Sequence, residues 1–288
     1  MPNKKNIHLL EKVSTKISLQ RLLERHRHDG RRIAFVPTMG ALHDGHLALV
    51  AHARELADVV VCSIFVNPTQ FNDPKDLEQY PRPIERDIDL LRRAHCDILF
   101  HPTVDEMYNT AEPWSLDLGH LDEVLEGQHR PGHFQGVTQI VFKLLDTVRP
   151  EFVCFGQKDF QQYKVVEYMV EKLKLPSVLE LCPTVREAGG LAMSSRNVRL
   201  TSKGRKQAQQ LYRVLQQTKA DLLRKSIDAL RADAIRILEG SPGIEVEYFE
   251  IFQAENFIPA SETSRGGQLV ALAAIWVDGV RLIDNLFL

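Results

Sequence analysis

Ile33-Ala-Phe-Val-Pro-Thr-Met-Gly-Ala-Leu-His-Asp-Gly-His-Leu-Ala-Leu-Val50 holds the fold in miniature: an apolar run, a glycine-bearing turn and the start of an amphipathic stretch. Residues 33–36 read as a buried strand that Pro37 ends. Leu47, Leu49, Val50, Ala53 and Leu56 then follow helical spacing. Between the two, Gly40 and Gly45 let backbone come close to a ligand, and the helix N-terminus offers free N–H groups to a phosphate. His43 and His46 would stand beside that anion as donors to developing negative charge. Alone, an H-x-G-H reads as a turn with two surface histidines. The preceding strand, the Pro-Thr-Met-Gly lead-in and the following helix favour a ligand site. A zinc reading is weaker, because no third ligand is obvious and helix-face zinc pairs are normally spaced i, i+4.

Outward from this stretch, the same alternation repeats. Val59-Val-Val-Cys-Ser-Ile-Phe-Val66 is apolar on both faces and stops at Asn67-Pro68. A polar helix over 84–94 leads to a short strand over 97–100. A helix over 137–148, a strand over 152–155 and a helix over 158–173 follow. Such a β-α-β-α order predicts an α/β fold, a Rossmann-like doubly wound parallel sheet whose ligands bind beyond the carboxyl ends of the strands. After about residue 186 the pattern changes. Ala208, Leu211, Leu215 and Leu222, then Ile227, Leu230, Ala234 and Ile237, mark two helices, the second capped by Ser226 and ended by Gly240 and Pro242. Strands are expected over 246–252, 269–276 and 280–288, with Asp278-Gly279 as a type I′ hairpin turn. The expected division is a Rossmann-like domain over 1–186 and a smaller C-terminal α+β domain, or lid, over 187–288.

Lysine and arginine number 36 against 38 acids, a net charge of −2, so the chain lacks the broad positive field of a general nucleic-acid binder. Hydrophobic residues at 44% and charged residues at 26% exclude a disordered, collagenous or rod-like chain. No apolar stretch approaches the ~20 residues of a membrane span. The start, Met-Pro-Asn-Lys-Lys-Asn, is followed by no apolar run fit for a signal peptide. Cys62, Cys96, Cys154 and Cys182 show no CxxC spacing and suggest buried thiols in a reducing compartment. The expectation is a cytoplasmic protein without nucleic-acid or membrane partners.

Seven further motifs occur in order: Phe65-Val-Asn-Pro-Thr-Gln-Phe71, Tyr80-Pro-Arg82, Leu125-Glu-Gly127, Arg130-Pro-Gly-His-Phe-Gln-Gly-Val137, Phe155-Gly-Gln-Lys-Asp-Phe-Gln-Gln162, Pro183-Thr-Val-Arg-Glu187 and Gly190-Leu-Ala-Met-Ser-Ser-Arg-Asn197. The H-x-G-H element resembles the nucleotide-binding signature of the superfamily that includes class I aminoacyl-tRNA synthetases. With the downstream motifs, the chain resembles the pantothenate synthetases, or pantoate–β-alanine ligases, from about residue 33 to 197. The C-terminal domain agrees in length and in its Leu-Ile-Asp-Asn ending. The resemblance implies ATP-driven amide formation through a pantoyl adenylate, with pyrophosphate and AMP released and Mg²⁺ on the ATP phosphates. It also implies a homodimer.

Carried over by position, Met39, Gly40, Ala41, Leu42, His43, Asp44, Gly45 and His46 correspond to the first ATP segment, with His46 as the proton or hydrogen-bond donor. His43 and Lys158 are the other residues implied in catalysis. Gly156, Gln157, Lys158 and Asp159 correspond to the second ATP segment. Val185 corresponds to a backbone contact with adenine, and Met193, Ser194, Ser195 and Arg196 to a loop that holds the pyrophosphate. Gln70 and Gln162 correspond to the pantoate-binding residues, Gln70 also lying near β-alanine. Neutral amides suit that task, since they donate to a carboxylate and accept from hydroxyls. Asn67 would support the pocket. Asp87 is a candidate for an outer contact to Mg²⁺, against the plainer reading of a solvated helix face. Residues 130–137, with Pro and two Gly, suggest a mobile flap over the adenylate.

One departure stands out: Gln157 occupies a position where the family commonly has Glu. Three other readings carry less. A nucleotidyltransferase would need more basic residues for a phosphorylated acceptor. A non-catalytic nucleotide sensor would have lost His46, Lys158 or Arg196. A truncated tRNA synthetase is disfavoured by the absence of an anticodon-binding region and by the −2 charge.

Overall fold

The computed structural model describes residues 9–108 and 113–288; the lysine-bearing start of the chain lies outside them. Its centre is the opening stretch. β2 (Ile33–Thr38) and β3 (Val59–Ile64) pair in parallel over six residues, Ile33 opposite Val59 and Thr38 opposite Ile64. Ile33, Ala34, Phe35 and Val36 are fully buried, and all of β3 is buried. Both faces of these strands are therefore covered, which is why their sequence is a continuous apolar run.

Around this pair the first unit builds a six-stranded parallel sheet in the order β1-β4-β3-β2-β5-β6. The outer strands are β1 (Glu11–Val13), β4 (Ile98–Phe100), β5 (Phe152–Gly156) and β6 (Val178–Cys182). The helices are α1 (Lys16–His28), α2 (Asp44–Leu56), α3 (Pro74–Glu78), α4 (Ile84–Arg93), α5 (Val104–Tyr108), α6 (Glu126–His129), α7 (His133–Val148) and α8 (Phe160–Lys172). The chain steps from β2 to β3 to β4 in one direction, then returns to lay β5 on the other side of β2. The loops after β2 and β5 thus leave the sheet at its topological switch point, where open α/β sheets bind ligands. Pro37 does not end β2. The ladder to β5 stops at Phe35 opposite Val153, so at Pro37 the strand is paired with β3 alone.

The second unit holds Gln157–Gln161 and Pro183–Leu288, and the first the chain to Gly156 together with Gln162–Cys182. In the second, α9 (Ser202–Asp221) and α10 (Ile227–Glu239) accompany an antiparallel sheet of β7 (Glu245–Gln253), β8 (Leu269–Val277) and β9 (Val280–Phe287). Leu211, Leu215, Leu230 and Leu238 share one core with Phe249, Ala273 and Ile275. Ser226 caps α10, accepting from the Ala229 N–H at 3.2 Å, and Gly240 is the C-cap. Asp278 and Gly279 have φ of 53° and 72°, the two left-handed positions a type I′ hairpin requires. A Rossmann-like parallel sheet with a smaller α+β portion is the fold the sequence predicts.

Candidate active site

Beyond Thr38 the chain turns sharply before α2 begins. Gly40 and Ala41 are both left-handed, with φ of 82° and 49°. A Cβ on Gly40 would stand 2.9 Å from the Ile64 Cγ2 and 3.1 Å from the Asp87 Oδ2, so glycine is needed for space as well as for angle. Asp87, from α4, is only 1% exposed and is no solvated residue. Its Oδ2 accepts the Ala41 N–H and its Oδ1 the Leu42 N–H, each at 2.8 Å. Burial pushes the Asp87 carboxyl upward, while those two amides and the Arg86 charge pull it back. Each oxygen thus accepts one amide of the loop.

His43 then caps α2 with extended backbone, and His46 lies one turn in. The His43 N–H donates to the His46 Nδ1 at 3.3 Å, and the two rings lie 4.1 Å apart. With Nδ1 accepting, a neutral His46 carries its proton on Nε2, as a donor. Asp44 is exposed in the first turn and Gly45 follows it. In the first turn the His46 and Leu47 amides both donate to the His43 carbonyl, so the Asp44 and Gly45 amides are the ones that add donors at the same end.

The neighbouring pocket is built from a 3₁₀ turn, Pro68–Gln70, just past β3. The Gln70 Oε1 accepts from the Asn67 Nδ2 at 3.0 Å, which leaves its Nε2 to donate to the Met39 Sδ at 3.3 Å. Asn67 is 1% exposed, donates also to the Gly136 carbonyl at 3.1 Å, and accepts from the Tyr108 hydroxyl at 2.6 Å. The Gln70 carbonyl in turn meets the His133 Nδ1 at 2.7 Å. A Cβ on Gly136 would lie 2.4 Å from the Thr69 carbonyl oxygen, so α7 packs directly on this turn. Of the expected flap, only residues 130–132 lie between helices. Residues 133–137 are the first turn of α7, with His133, Phe134, Gly136 and Val137 buried. Gln162 lies half-buried in the first turn of α8.

In the second unit, Gln157–Asp159 form a 3₁₀ turn directly after Gly156, where a helix start was expected. Asn285 pins this turn: its Nδ2 donates to the Gln157 and Lys158 carbonyls at 2.8 and 2.9 Å, and its Oδ1 accepts the Gln157 Nε2 at 3.1 Å. Lys158 and Asp159 form a 3.3 Å ion pair. Beside Asn285, Asp284 binds Arg186 through two contacts of 2.5 and 2.9 Å. Burial pushes the Asp284 carboxyl up, and the hydrogen bonds and charge of Arg186 oppose it. The guanidinium stacks 3.8 Å from the Tyr212 ring centroid. Val185 and Met193 are joined by the Met193 N–H to the Val185 carbonyl at 3.0 Å, and Ser194 caps the turn Ser195–Arg199 by accepting from the Arg196 N–H. Arg186, Asp284 and Asn285 received no role from the sequence, although all three lie within the motifs quoted above.

Among the described residues, no three His, Cys, Asp or Glu side chains come together as a metal site. Compared with known proteins, residues 11–287 match the family model described as pantoate-beta-alanine ligase. A pantothenate synthetase of Porphyromonas gingivalis is 42% identical over 277 residues, 96% of this chain and 99% of that one. One from Pseudomonas fluorescens is 45% identical over 281 residues, 96% and 97% of the two chains. Among solved structures, a pantothenate synthetase of Thermus thermophilus superposes with a TM-score of 0.89 at 40% identity, covering 96% of this chain and 99% of its own. The Francisella tularensis pantoate-beta-alanine ligase, complexed with beta-gamma ATP and beta-alanine, gives 0.78 at 30% identity over 97% and 98%. An H-x-G-H turn at the switch point, a Gln70 pocket against it and this similarity along nearly the whole chain lead to one result: the chain belongs to the pantoate-beta-alanine ligase family.

Proposed function

We propose that the residues beyond β2, β3 and β5 divide between them the two steps of the family's reaction. The chain condenses pantoate with β-alanine, using ATP and passing through pantoyl adenylate. In the first step a pantoate carboxylate oxygen bonds to the α-phosphorus, and the bond to the bridging oxygen breaks to release pyrophosphate. In the second the β-alanine amine bonds to the acyl carbon and AMP leaves with the electron pair. Phosphoryl chemistry of this kind rests on positioning and charge neutralisation more than on covalent help.

In this reading His46 donates its Nε2–H to the phosphate charge, with His43 and the α2 amides beside it. Met39, Gly40, Ala41, Leu42, Asp44 and Gly45 line the triphosphate path. Lys158 supplies a point charge, with Gly156, Gln157 and Asp159 framing it. Val185 meets adenine through its backbone, while Met193, Ser194, Ser195 and Arg196 hold the departing pyrophosphate. Gln70 and Gln162 hold pantoate, Gln70 also facing β-alanine. The Francisella ligase, in its complex with beta-gamma ATP and beta-alanine, supports the nucleotide and β-alanine subsites by similarity.

Mg²⁺ would arrive on the nucleotide and neutralise its phosphate oxygens, which suits a chain whose described residues group no three metal-binding side chains. The functional division into residues 1–186 and 187–288, a cytoplasmic setting and a homodimer belong to the same proposal. Four free, buried thiols fit a reducing compartment, and no described helix is long and apolar enough to cross a membrane.

The observation that carries the site assignment is the 3.3 Å contact between the Gln70 amide and Met39, which joins the acid pocket to the nucleotide turn. The test is pyrophosphate–ATP exchange with pantoate present and β-alanine absent. Exchange is expected to require pantoate and to collapse in Gln162→Glu, where like charges ~4 Å apart repel by about 4 kcal/mol at an effective dielectric of 20. Intact exchange in that variant rejects the Gln162 assignment.

A further inference from the structure

Asp87 lies outside every segment assigned above to a substrate, yet it spends both carboxylate oxygens on the nucleotide turn, on the Ala41 and Leu42 amides at 2.8 Å each. We propose that Asp87 is a positioning residue for adenylate formation: its carboxylate clamps residues 40–42 in the left-handed turn that aims the α2 amides and the His46 Nε2–H at the nucleotide. The inference rests on the nucleotide role proposed for residues 39–46.

Three observations carry it. Ala41 has a Cβ and still sits at φ 49°, directly after Gly40 at 82°. L-residues avoid that region, so something outside the turn must hold it there. Met39, Gly40 and Asp87 also line a cavity of about 410 Å³ with Ile64, Phe65 and Arg82, so the carboxylate and the start of the turn border open space together. Finally, Asp87 is 1% exposed, and burial opposes its charge. An uncharged side chain would be easier to bury. The turn explains the carboxylate; the stability of the core does not.

Asp87→Asn keeps the shape but replaces one acceptor with a donor that faces a backbone N–H. Pyrophosphate–ATP exchange should fall roughly 10–100-fold, as expected for losing a charge-assisted hydrogen bond and misaligning the donors it positions. The loss should appear in both the KM for ATP and the exchange rate, and the KM for pantoate should stay within about threefold because Asn67 and His133, which also hold Gln70, lie outside the turn. Adding Ala41→Gly should restore roughly fivefold of the lost rate, since glycine adopts the left-handed turn unaided. A residue that merely fills the core would show no such rescue.

Amide exchange at Ala41 and Leu42, measured without ligand, should be slow in the wild type and fast in Asp87→Asn. If Asp87→Asn does not fold, the same comparison is made in Asp87→Glu, which retains charge and acceptors one methylene further out. Wild-type exchange kinetics in the folded variant, or no rescue by Ala41→Gly, overturns the clamp. Failure of the wild type itself to exchange pyrophosphate with pantoate would reject the nucleotide reading instead, and the amide-exchange result would still decide whether Asp87 holds the turn.

Discussion

The turns that follow β2 and β5 are both held by a side chain from a distant element, but with opposite chemistry. At residues 40–42 an anion, Asp87, consumes two backbone N–H groups. At residues 157–158 an amide, Asn285, consumes two backbone carbonyls. The first clamp uses up donors, so in the proposed reading anion binding falls to the next amides of α2 and to His46. The second engages carbonyl oxygens, which in the proposed reading would otherwise repel a phosphate beside Lys158. In the proposed reading, one turn aims donors and the other hides acceptors.

The hardest blow to the second region should come from Arg186→Leu. It leaves Asp284, with its side chain 3% exposed, without the guanidinium that it grips. Breaking a buried pair from one side costs about 3–5 kcal/mol, to be read as lost stability in urea titration. Its pH dependence has a definite sign. Without Arg186 the Asp284 carboxyl is raised further above its unfolded value, so the deficit is largest at neutral pH and shrinks as pH falls and the group takes up a proton. A deficit that is flat with pH would mean that Arg186 acts through its stacking on Tyr212.

In the first region the corresponding test is catalytic. His46→Ala should fold normally and lose about 2.7–4 kcal/mol of transition-state stabilisation, roughly 100–1,000-fold in single-turnover adenylate formation. Rates near wild type would remove His46 from the chemistry. Asn285→Ala comes next, at about 1–3 kcal/mol of stability, because two carbonyls lose their donor. If the second turn hides acceptors, this variant also weakens ATP use, while the turnover of preformed pantoyl adenylate with β-alanine changes little. Equal loss in both half-reactions would break the contrast between the two turns.

Much of this was legible in the chain itself, and the rest was hidden for specific reasons. β2 and β3 announce themselves because both of their faces are buried, as do the Ser226 cap and the Asp278-Gly279 turn because their chemistry is local. β1 is three residues, Glu-Lys-Val, with its first two exposed, and carries no apolar signal to read. Asp87 sits among Glu85, Arg86 and Asp89 and looks solvated. Residues 41 and 42, about 45 positions earlier, fold onto it. Arg186 and Asp284 meet across 98 positions. The glycines of residues 130–137 suggested a flap, yet Gly136 serves close packing against Thr69.

The smallest expected effect concerns the departure at residue 157. Asn285 commits its Nδ2 to two backbone carbonyls, so its Oδ1 must face the Gln157 side chain, and Gln157 answers with a donor at 3.1 Å. An ionised Glu has no donor to offer. Gln157→Glu therefore exchanges a hydrogen bond for two facing acceptors, a loss of about 1 kcal/mol, partly offset by the nearby Lys158 charge. A protonated carboxyl would donate again. The folded variant should thus hold its proton more tightly than the unfolded chain, whose Glu titrates near ~4.3. The deficit is then present above that range and fades as pH falls through it. Thermal unfolding of the two proteins between neutral and mildly acid pH checks the sign. If the variant is less stable in acid than at neutral pH, relative to Gln157, then Asn285 faces residue 157 with its amide nitrogen, and the second turn is not held by the hydrogen bonds described for it.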